Sequence, residues 1–323
     1  MKELNYEKVF NTLVDKTAEY LTKNNLKTMV LGISGGIDST VVAVICHEVS
    51  KKTGIPLIGR SLPIKNKSDE FATSVHVGEA FCNDFEVYRL ERSYRAALFD
   101  ACADAGDVNV ANSYYLDELE EMPSRTPIAN GNLQARCRMM YLYDIASRHS
   151  GLVMSTDNQT EYQLGFWTIH GDVGDFDPIQ DLWKTEVYGL ADYIKKFYIE
   201  RWEEYDISES KYHDYKHMIE PLDASIALTP TDGLGISNSD LDQIGAKNYA
   251  EVDDILQSLL PLEHWISCQP DVLIAKEFDE TINLLETKYT KEVVDKVWKR
   301  HKASEFKRKK APIYILRKEY END

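Results

Sequence analysis

Apolar positions in the first 190 residues follow two alternating patterns. Short, largely apolar runs end in polar or glycine-rich turns. They predict buried strands at 29–33 and 55–63 and further strands at 85–90 and 151–155. Apolar residues at helical spacing lie between these runs and predict helices at 9–21, 40–49, 68–82 and 130–149. Strands that alternate with helices predict an α/β fold: a doubly wound, mostly parallel sheet with helices on both faces.

The rest of the chain has a different pattern. Residues 92–128 show no clear periodicity, and we expect loops at 104–112 and 122–127. Beyond about residue 190 the sequence becomes helical and charged, without further strand alternation. No repeat or low-complexity linker interrupts it. We therefore predict a single domain over residues 1–323, with a core over about 1–190 and a helical C-terminal elaboration over about 191–323.

Composition indicates a globular protein and its compartment. Hydrophobic residues make up 43% of the chain. No apolar run approaches the roughly 18 residues that span a bilayer, and the first residues lack the apolar core of a signal peptide. The five cysteines are scattered without a Cys-x-x-Cys pair, which favours reduced thiols over a disulfide or zinc scaffold. We expect a cytoplasmic protein with no membrane partner.

Charge restricts the class of substrate. The formal net charge is −17. A protein that binds nucleic acid needs a basic surface that displaces counterions from the phosphates. We therefore expect no nucleic-acid partner and a small-molecule substrate.

The most informative segment joins the first predicted strand to the second predicted helix. Residues 34–39 read Ser-Gly-Gly-Ile-Asp-Ser. The first amides of a helix have no intrahelical partner, so with two glycines that admit a close approach they form an anion site. Gly-Gly-x-Asp alone is ordinary turn chemistry, but the strand before it and the helix after it favour a phosphate site. No lysine follows the glycines, which excludes a Walker loop.

Two later segments carry further candidate residues. At the start of the 130–149 helix, Asn132 is a plausible cap, and Arg136 could reach a carboxylate or phosphate; alternatively it is a surface arginine. After the fourth predicted strand, Thr156 could bond a nucleotide. Glu161 could join Asp38 as a second carboxylate on magnesium. The alternative for this segment is a turn with a helix cap.

Three more features complete the pattern. A glycine-bounded loop over 165–174 carries Asp172, a reasonable substrate contact. Lys184 could neutralise a departing pyrophosphate. The basic cluster over 302–310 is either a solvated tail or a mobile arm that closes over the phosphates and excludes water.

The Ser-Gly-Gly-x-Asp-Ser segment resembles the pyrophosphate loop of the N-type ATP pyrophosphatases, which cleave ATP between the α and β phosphates. In their order, the motifs together resemble the NAD synthetases, which amidate deamido-NAD. The resemblance runs from about residue 28 to 190 and returns at 303–312. It implies that the nicotinate carboxylate attacks the α-phosphorus of ATP, and that ammonia then attacks the acyl-adenylate to give NAD and AMP.

The resemblance also implies a role for each matching residue. The catalytic residues would be Asp38 and Lys184, and magnesium would be held by Asp38 and Glu161. The ATP contacts would be Gly32, Ile33, Ser34, Gly35, Gly36, Ile37, Asp38, Ser39, Thr156, Lys184 and, by a loose alignment, Thr231. The deamido-NAD contacts would be Arg136, Asp172, either Asp175 or Asp177, Phe306 and Lys307.

Several departures from the family pattern affect the acceptor more than the ATP site. Ile169 stands where the family has a substrate-binding lysine, and Asn130 replaces another common lysine. The loop after Gly174 is one residue short, and 196–228 looks like an insertion. Two alternatives therefore stay open: an amidating enzyme for another small carboxylate, and a non-catalytic nucleotide-binding regulator.

The family also implies a nitrogen source and an assembly. Its glutamine-using members carry a glutaminase domain before the pyrophosphate loop, and only 33 residues precede Ser34 here. We expect this chain to use free ammonia, unless a separate subunit delivers it. Because the family's active sites lie at a dimer interface, we also expect a homodimer.

Overall fold

The computed structural model of this chain describes residues 4–108, 110–113, 115–204, 209–230, 239–268 and 272–308. Its strands are β1 (Met29–Gly32), β2 (Leu57–Ser61), β3 (Asp84–Val87) and β4 (Leu152–Val153). Its helices up to the end of the sheet are α1 (Tyr6–Lys23), α2 (Ile37–Thr53), α3 (Ser68–Phe81), α4 (Glu91–Asp104), α5 (Leu116–Glu120) and α6 (Pro127–Arg148). The later helices are α7 (Gln159–Leu164), α8 (Lys184–Glu204), α9 (Glu209–Ala227), α10 (Asp240–Ile244), α11 (Tyr249–Cys268), α12 (Val272–Lys288), α13 (Lys291–Ala303) and α14 (Glu305–Arg308).

The four strands form one parallel sheet in the order β3-β2-β1-β4. All four predicted strands, and the parallel sheet, are confirmed. The chain moves outward from β1 through β2 to β3, and it then returns to place β4 on the other side of β1. The strand order therefore reverses between β1 and β4. A parallel sheet with such a switch point leaves a crevice at the carboxyl ends of its central strands.

Helices cover both faces of the sheet, because side chains alternate between the faces along each strand. Met29 and Leu31 of β1 join a cluster with α1, α2, α3, α8 and α9, whereas Val30 joins a cluster with α4 and α6 on the other face. The predicted doubly wound arrangement is therefore confirmed. Leu222 of α9 belongs to the first cluster, so packing against the sheet continues well past residue 190.

A third apolar cluster lies in the helical C-terminal part. Leu164 of α7 packs there with side chains of α10 to α13, including the fully buried Val252, Ile255 and Leu256 of α11. The C-terminal helices thus pack against the helix that follows β4. The predicted helical character of this part is confirmed.

The poorly patterned region over 92–128 contains two helices, α4 and α5, and a short 3-10 helix over Val110–Asn112. The prediction that Asn132 caps the next helix is wrong. That helix begins at Pro127, and the Thr126 hydroxyl accepts a hydrogen bond of 3.1 Å from the Ala129 amide. Threonine followed by proline is a strong helix start, because proline's fixed φ suits the first helical position. Asn132 lies inside α6.

No helix in the described ranges is long and apolar enough to cross a membrane.

Candidate active site

A cavity of about 1010 Å³ opens beyond the carboxyl ends of the strands. Its walls include Ser34 after β1, Leu62 after β2 and Thr156 after β4. Residues of the C-terminal helices, such as Lys307 of α14, close the other side. This is the position in which open α/β sheets bind their ligands.

The turn between β1 and α2 is held tightly against α3. Gly35 has φ +88°, and a Cβ there would lie 2.4 Å from the Glu70 carbonyl oxygen and 2.9 Å from the Ser74 amide nitrogen. Only glycine fits, both for its backbone conformation and for this close approach. The predicted need for glycine in the turn therefore has a second cause, the packing of α3.

The hydroxyls of the turn face one another and the helix start. Ser34 Oγ accepts a 3.2 Å hydrogen bond from the Gly36 amide and lies 2.9 Å from Ser39 Oγ. The first backbone bond within α2 runs from the Thr40 amide to the Gly36 carbonyl, 3.1 Å. The amides of Ile37 and Asp38 therefore point out of the helix start, at the positive end of its dipole. This arrangement can bind phosphate oxygens.

Three charged residues from three different helices meet at this turn. Lys184 Nζ of α8 lies 2.5 Å from Asp38 Oδ2 of α2 and 2.9 Å from Glu161 Oε1 of α7. The Lys184 side chain is 1% exposed, and the two carboxylates are 15% and 17% exposed. Both carboxylates line the cavity, so the cluster is covered by protein on one side and open to the cavity on the other.

The electrostatics of the cluster follow from burial and proximity. Burial lowers the pKa of Lys184, but the carboxylates of Asp38 and Glu161 raise it well above its ordinary value, so the ammonium stays charged. Burial raises the pKa of Glu161, the charge of Asp38 adds to that rise, and Lys184 opposes it. The pair of carboxylates therefore favours a cation between them.

Asn158 joins the two carboxylates, and sequence analysis missed it. The Asn158 Nδ2 group donates to Asp38 Oδ1 at 2.8 Å, and Asn158 Oδ1 accepts from the Glu161 amide at 3.1 Å. Glu161 Oε2 in turn accepts from the Asn158 amide at 3.4 Å, which completes a capping box at the start of α7. The Asn-x-x-Glu spacing carries this signal in the sequence. The predicted turn with a helix cap is therefore present here, and the role of Glu161 as a magnesium ligand stays a prediction.

Three further carboxylates follow β4 in the chain: Asp157, Asp175 and Asp177. Asp157 is buried, and burial together with the neighbouring carboxylates raises its pKa. Burial raises the pKa of Asp177 to about 7, and the charge of Asp38 adds to the rise. Asp175 lies elsewhere: it accepts hydrogen bonds from the Tyr143 hydroxyl at 2.9 Å and the Val153 amide at 3.0 Å. Asp175 therefore joins α6 to β4.

Some of the predicted acceptor residues line the cavity, and others do not. Asp172 lines the cavity and accepts a 2.7 Å hydrogen bond from the Thr168 amide. Phe306 and Lys307 also line it, and Lys307 Nζ donates to the Gly165 carbonyl at 2.7 Å. Burial lowers the pKa of Lys307. Thr231 lies outside the described residues.

Arg136 does not line the cavity, because its side chain lies on the exposed side of α6. Its Nε and Nη2 atoms donate to the Ile169 carbonyl at 3.3 and 3.2 Å. Arg138, two positions on, lines the cavity instead and donates to the Leu62 carbonyl at 3.0 Å. Helical spacing alone did not distinguish the two arginines.

Two solved structures have the same fold. The NMN synthetase of Francisella tularensis superposes with a TM-score of 0.67 at 22% identity, covering 97% of this chain and 100% of that one. The NH3-dependent NAD synthetase of Campylobacter jejuni gives a TM-score of 0.58 at 21% identity, with the same coverage of 97% and 100%. At this level of identity the likeness establishes the fold alone.

Sequence relatives are more specific. The NH(3)-dependent NAD(+) synthetase of Helicobacter pylori (strain HPAG1) is 33% identical over 190 residues, which cover 58% of this chain. The match spans 63% of the length of that relative. The synthetase with the same description from Wolinella succinogenes is 28% identical over 315 residues, or 95% of both chains.

The family model described as NAD synthase matches residues 9–311. The match begins within α1 and continues past α14, so it includes the glycine turn, the three-residue charged cluster and the C-terminal helices that close the cavity. This chain therefore belongs to the NAD synthase family.

Proposed function

We propose that this protein is an ammonia-dependent NAD synthetase. It converts deamido-NAD to NAD through an ATP-derived acyl-adenylate and releases AMP and pyrophosphate. The observation that carries the proposal is the Asp38–Lys184–Glu161 cluster, which lies beside the glycine turn in a cavity of about 1010 Å³. Family membership supports the same reaction.

The turn and the start of α2 are suited to the leaving pyrophosphate. The helix-start amides, Ser34 and Ser39 supply donors without side-chain bulk at Gly35. Thr156 lies between β4 and α7 and lines the same cavity, where it can contact the nucleotide. The protein's contribution is alignment and charge neutralisation, since phosphoryl chemistry of this kind needs no covalent intermediate with the protein.

The donor set fits magnesium. Asp38 and Glu161 already enclose a cation, the ammonium of Lys184, at 2.5 and 2.9 Å. Magnesium prefers one or two protein carboxylates together with phosphate oxygens, and Asp38 and Glu161 supply two carboxylates at the cavity wall. Asp38 and Glu161 would hold the ion, which neutralises phosphate charge when bound. Lys184 adds a second positive charge to the same site.

The acceptor side of the cavity carries Asp172, Phe306 and Lys307. Lys307 is tied to the Gly165 carbonyl, so α14 is held close to the loop that follows α7. This contact places a cation and an aromatic ring at the cavity wall, where they can bind an anionic dinucleotide and limit access of water to the adenylate.

A second candidate acceptor is a smaller pyridine carboxylate, the mononucleotide whose amidation gives NMN. Two points favour it: the family resemblance implies a lysine at the position of Ile169, and the F. tularensis protein of the same fold is described as an NMN synthetase. The reaction type and the ATP half of the site are the same in both cases.

One assay tests the reaction and separates the acceptors. The protein is incubated with ATP, Mg²⁺ and ammonium, and with either deamido-NAD or nicotinic acid mononucleotide. We expect NAD and AMP in equal amounts from deamido-NAD. Faster amidation of the mononucleotide would support the second candidate. Absence of AMP with both acceptors would contradict both candidate reactions and favour either another small carboxylate as acceptor or a nucleotide-binding regulator.

Family membership supports three further proposals: a single catalytic domain over residues 1–323, a homodimer and a cytoplasmic location. Free ammonia is the proposed nitrogen source. Sedimentation of the purified protein tests the dimer, and the replacement of ammonium by glutamine in the assay tests the nitrogen source.

A further inference from the structure

Asp253 is a completely buried carboxylate on α11, far from the active-site residues in sequence. Its Oδ1 atom accepts a hydrogen bond of 2.5 Å from the Thr160 hydroxyl on α7. Its Oδ2 atom accepts two from Thr185 on α8, at 3.0 Å from the amide and 2.7 Å from the hydroxyl. One side chain of the C-terminal part thus joins α7 to α8.

The partners of Asp253 are the immediate neighbours of two active-site residues. Thr160 precedes Glu161, and Thr185 follows Lys184. The Thr160 hydroxyl also accepts a 2.9 Å hydrogen bond from the Lys184 amide. A chain of hydrogen bonds therefore runs from Asp253 through Thr160 to the backbone of Lys184.

The backbone groups in question are the first amides of α8. Lys184 is the first residue of that helix, so the amides of Lys184 and Thr185 have no intrahelical acceptor. Asp253 and Thr160 satisfy these donors from outside the helix, and the negative charge lies at the positive end of the α8 dipole. Because Lys184 Nζ extends from this first turn, the position of the turn fixes where the ammonium can lie.

A second contact connects α11 to the same lysine. Tyr249 lies one helical turn before Asp253, and its ring centroid is 5.6 Å from Lys184 Nζ. The third apolar cluster holds this part of α11 through the fully buried Val252, Ile255 and Leu256. Asp253 therefore belongs to a rigid element.

We infer that Asp253, acting through Thr160 and Thr185, is a positioning residue that sets the distance between Lys184 and the carboxylates of Asp38 and Glu161. The inference rests on the proposed function for the binding of nucleotide and magnesium at this cluster, but not for the acceptor or for turnover. Its physical content is that the C-terminal helices determine the geometry of the nucleotide and metal site. Loss of a partner that orients a metal-site residue typically costs about 10- to 100-fold in affinity or activity.

Matched variants test this role. Thr160→Val keeps the shape of the buried side chain but removes the hydroxyl that links Asp253 to Lys184, whereas Thr160→Ser keeps the hydroxyl. Asp253→Asn removes the charge at the start of α8. Asp254→Asn is the control, because Asp254 lies on the same helix and pairs instead with Lys288 at 3.0 Å and Tyr289 at 2.8 Å.

Two measurements separate positioning from stability. Calorimetry measures the binding of Mg²⁺ with a non-hydrolysable ATP analogue, and thermal unfolding measures stability. We expect Thr160→Val and Asp253→Asn to weaken binding about 10- to 100-fold. The serine variant should restore binding close to that of the unmodified protein, and Asp254→Asn should leave it unchanged. The concentration of Mg²⁺ that gives half-maximal turnover should rise in the same two variants.

If Thr160→Val and Asp253→Asn lower the unfolding temperature but bind the analogue with unchanged affinity, the network is structural only. Because calorimetry needs no turnover, failure of the proposed reaction would not affect this test. If Asp253→Asn does not fold, the Thr160 variants decide the question, because Thr160→Val removes the buried hydroxyl and Thr160→Ser keeps it.

Discussion

At the scale of single residues, the charged cluster shows how much depends on partners that are distant in sequence. Asp38, Glu161 and Lys184 come from three helices, and Asn158 donates a hydrogen bond to Asp38. Sequence analysis assigns the two carboxylates to magnesium and the lysine to pyrophosphate. The structure places the ammonium between the carboxylates, because opposite charges with little access to water minimise their energy in contact.

The first prediction concerns Asp38. Asp38→Ala removes one of the two carboxylates that enclose the cation, and we expect turnover to fall by a factor of about 100 to 1000, as for loss of a preorganised charge contact. The fold should stay intact, because the Asp38 side chain is partly open to the cavity. Turnover and the unfolding temperature are measured together.

Asp15→Ala is a suitable control for that experiment, since Asp15 is an exposed carboxylate that also pairs with a lysine, Lys52, at 2.7 Å. It should change neither quantity appreciably. Turnover of Asp38→Ala at the rate of the unmodified protein would show that Asp38 does not hold the metal.

At the scale of elements, the glycine turn, α2 and α3 form one unit. The apolar runs that predict β1, β2 and β4 are reliable because these parallel strands are almost entirely buried and therefore contain few polar residues. β3 lies at the edge of the sheet and is largely exposed. The helices within 92–128 were missed because α4 buries only a narrow face, with Tyr94, Leu98 and Cys102, and α5 is only five residues long. The close approach of α3 to Gly35 has no signature in the sequence.

The second prediction concerns that approach. Gly35→Ala and Gly54→Ala both place a side chain at positive φ, +88° and +74°, which costs about 1 to 2 kcal/mol. A Cβ at Gly54 has no neighbour within 4 Å, whereas one at Gly35 lies 2.4 Å from a backbone oxygen of α3. We expect Gly54→Ala to destabilise the protein by about this amount and to bind nucleotide normally.

Gly35→Ala should destabilise the protein more and should also lose binding of the ATP analogue, because α3 or the turn must move. Denaturant unfolding measures the first effect and calorimetry the second. Equal effects of the two substitutions would show that backbone conformation, and not the contact with α3, makes glycine necessary.

At the scale of the whole molecule, the C-terminal helices complete the active site. They provide Phe306 and Lys307 at the cavity wall and Asp253 behind it. The molecule also concentrates carboxylates at this site, in a chain of net charge −17. The free energy of folding must therefore depend on how these groups titrate.

The third prediction is a pH dependence of stability. Burial raises the pKa of Asp177 to about 7, so the folded protein binds this proton more tightly than the unfolded chain. The contribution to stability is fully present below the ordinary aspartate pKa of about 3.9 and is lost as the pH rises through about 7. Without nucleotide and metal, we expect this contribution to the free energy of unfolding to fall as the pH rises from about 4 to about 7.

Asp177→Asn should flatten this dependence, because asparagine does not titrate. Asp181→Asn is the matched control at an exposed position four residues later and should leave the slope unchanged. Equal slopes for the unmodified protein and for Asp177→Asn, measured by denaturant unfolding at each pH, would contradict the assignment.

The sequence by itself determined the parallel sheet, the phosphate-binding turn at the end of the first strand and the identity of the residues around it. Each of these is encoded locally, in a run of apolar residues or in a short motif. Only the tertiary structure decided that Arg138 and not Arg136 lines the cavity, that Lys184 lies between Asp38 and Glu161, and that Asp253 fixes the start of α8. These facts depend on how helices far apart in sequence pack: the buried carboxylate of Asp253 accepts a hydrogen bond from the Thr185 amide at the start of another helix.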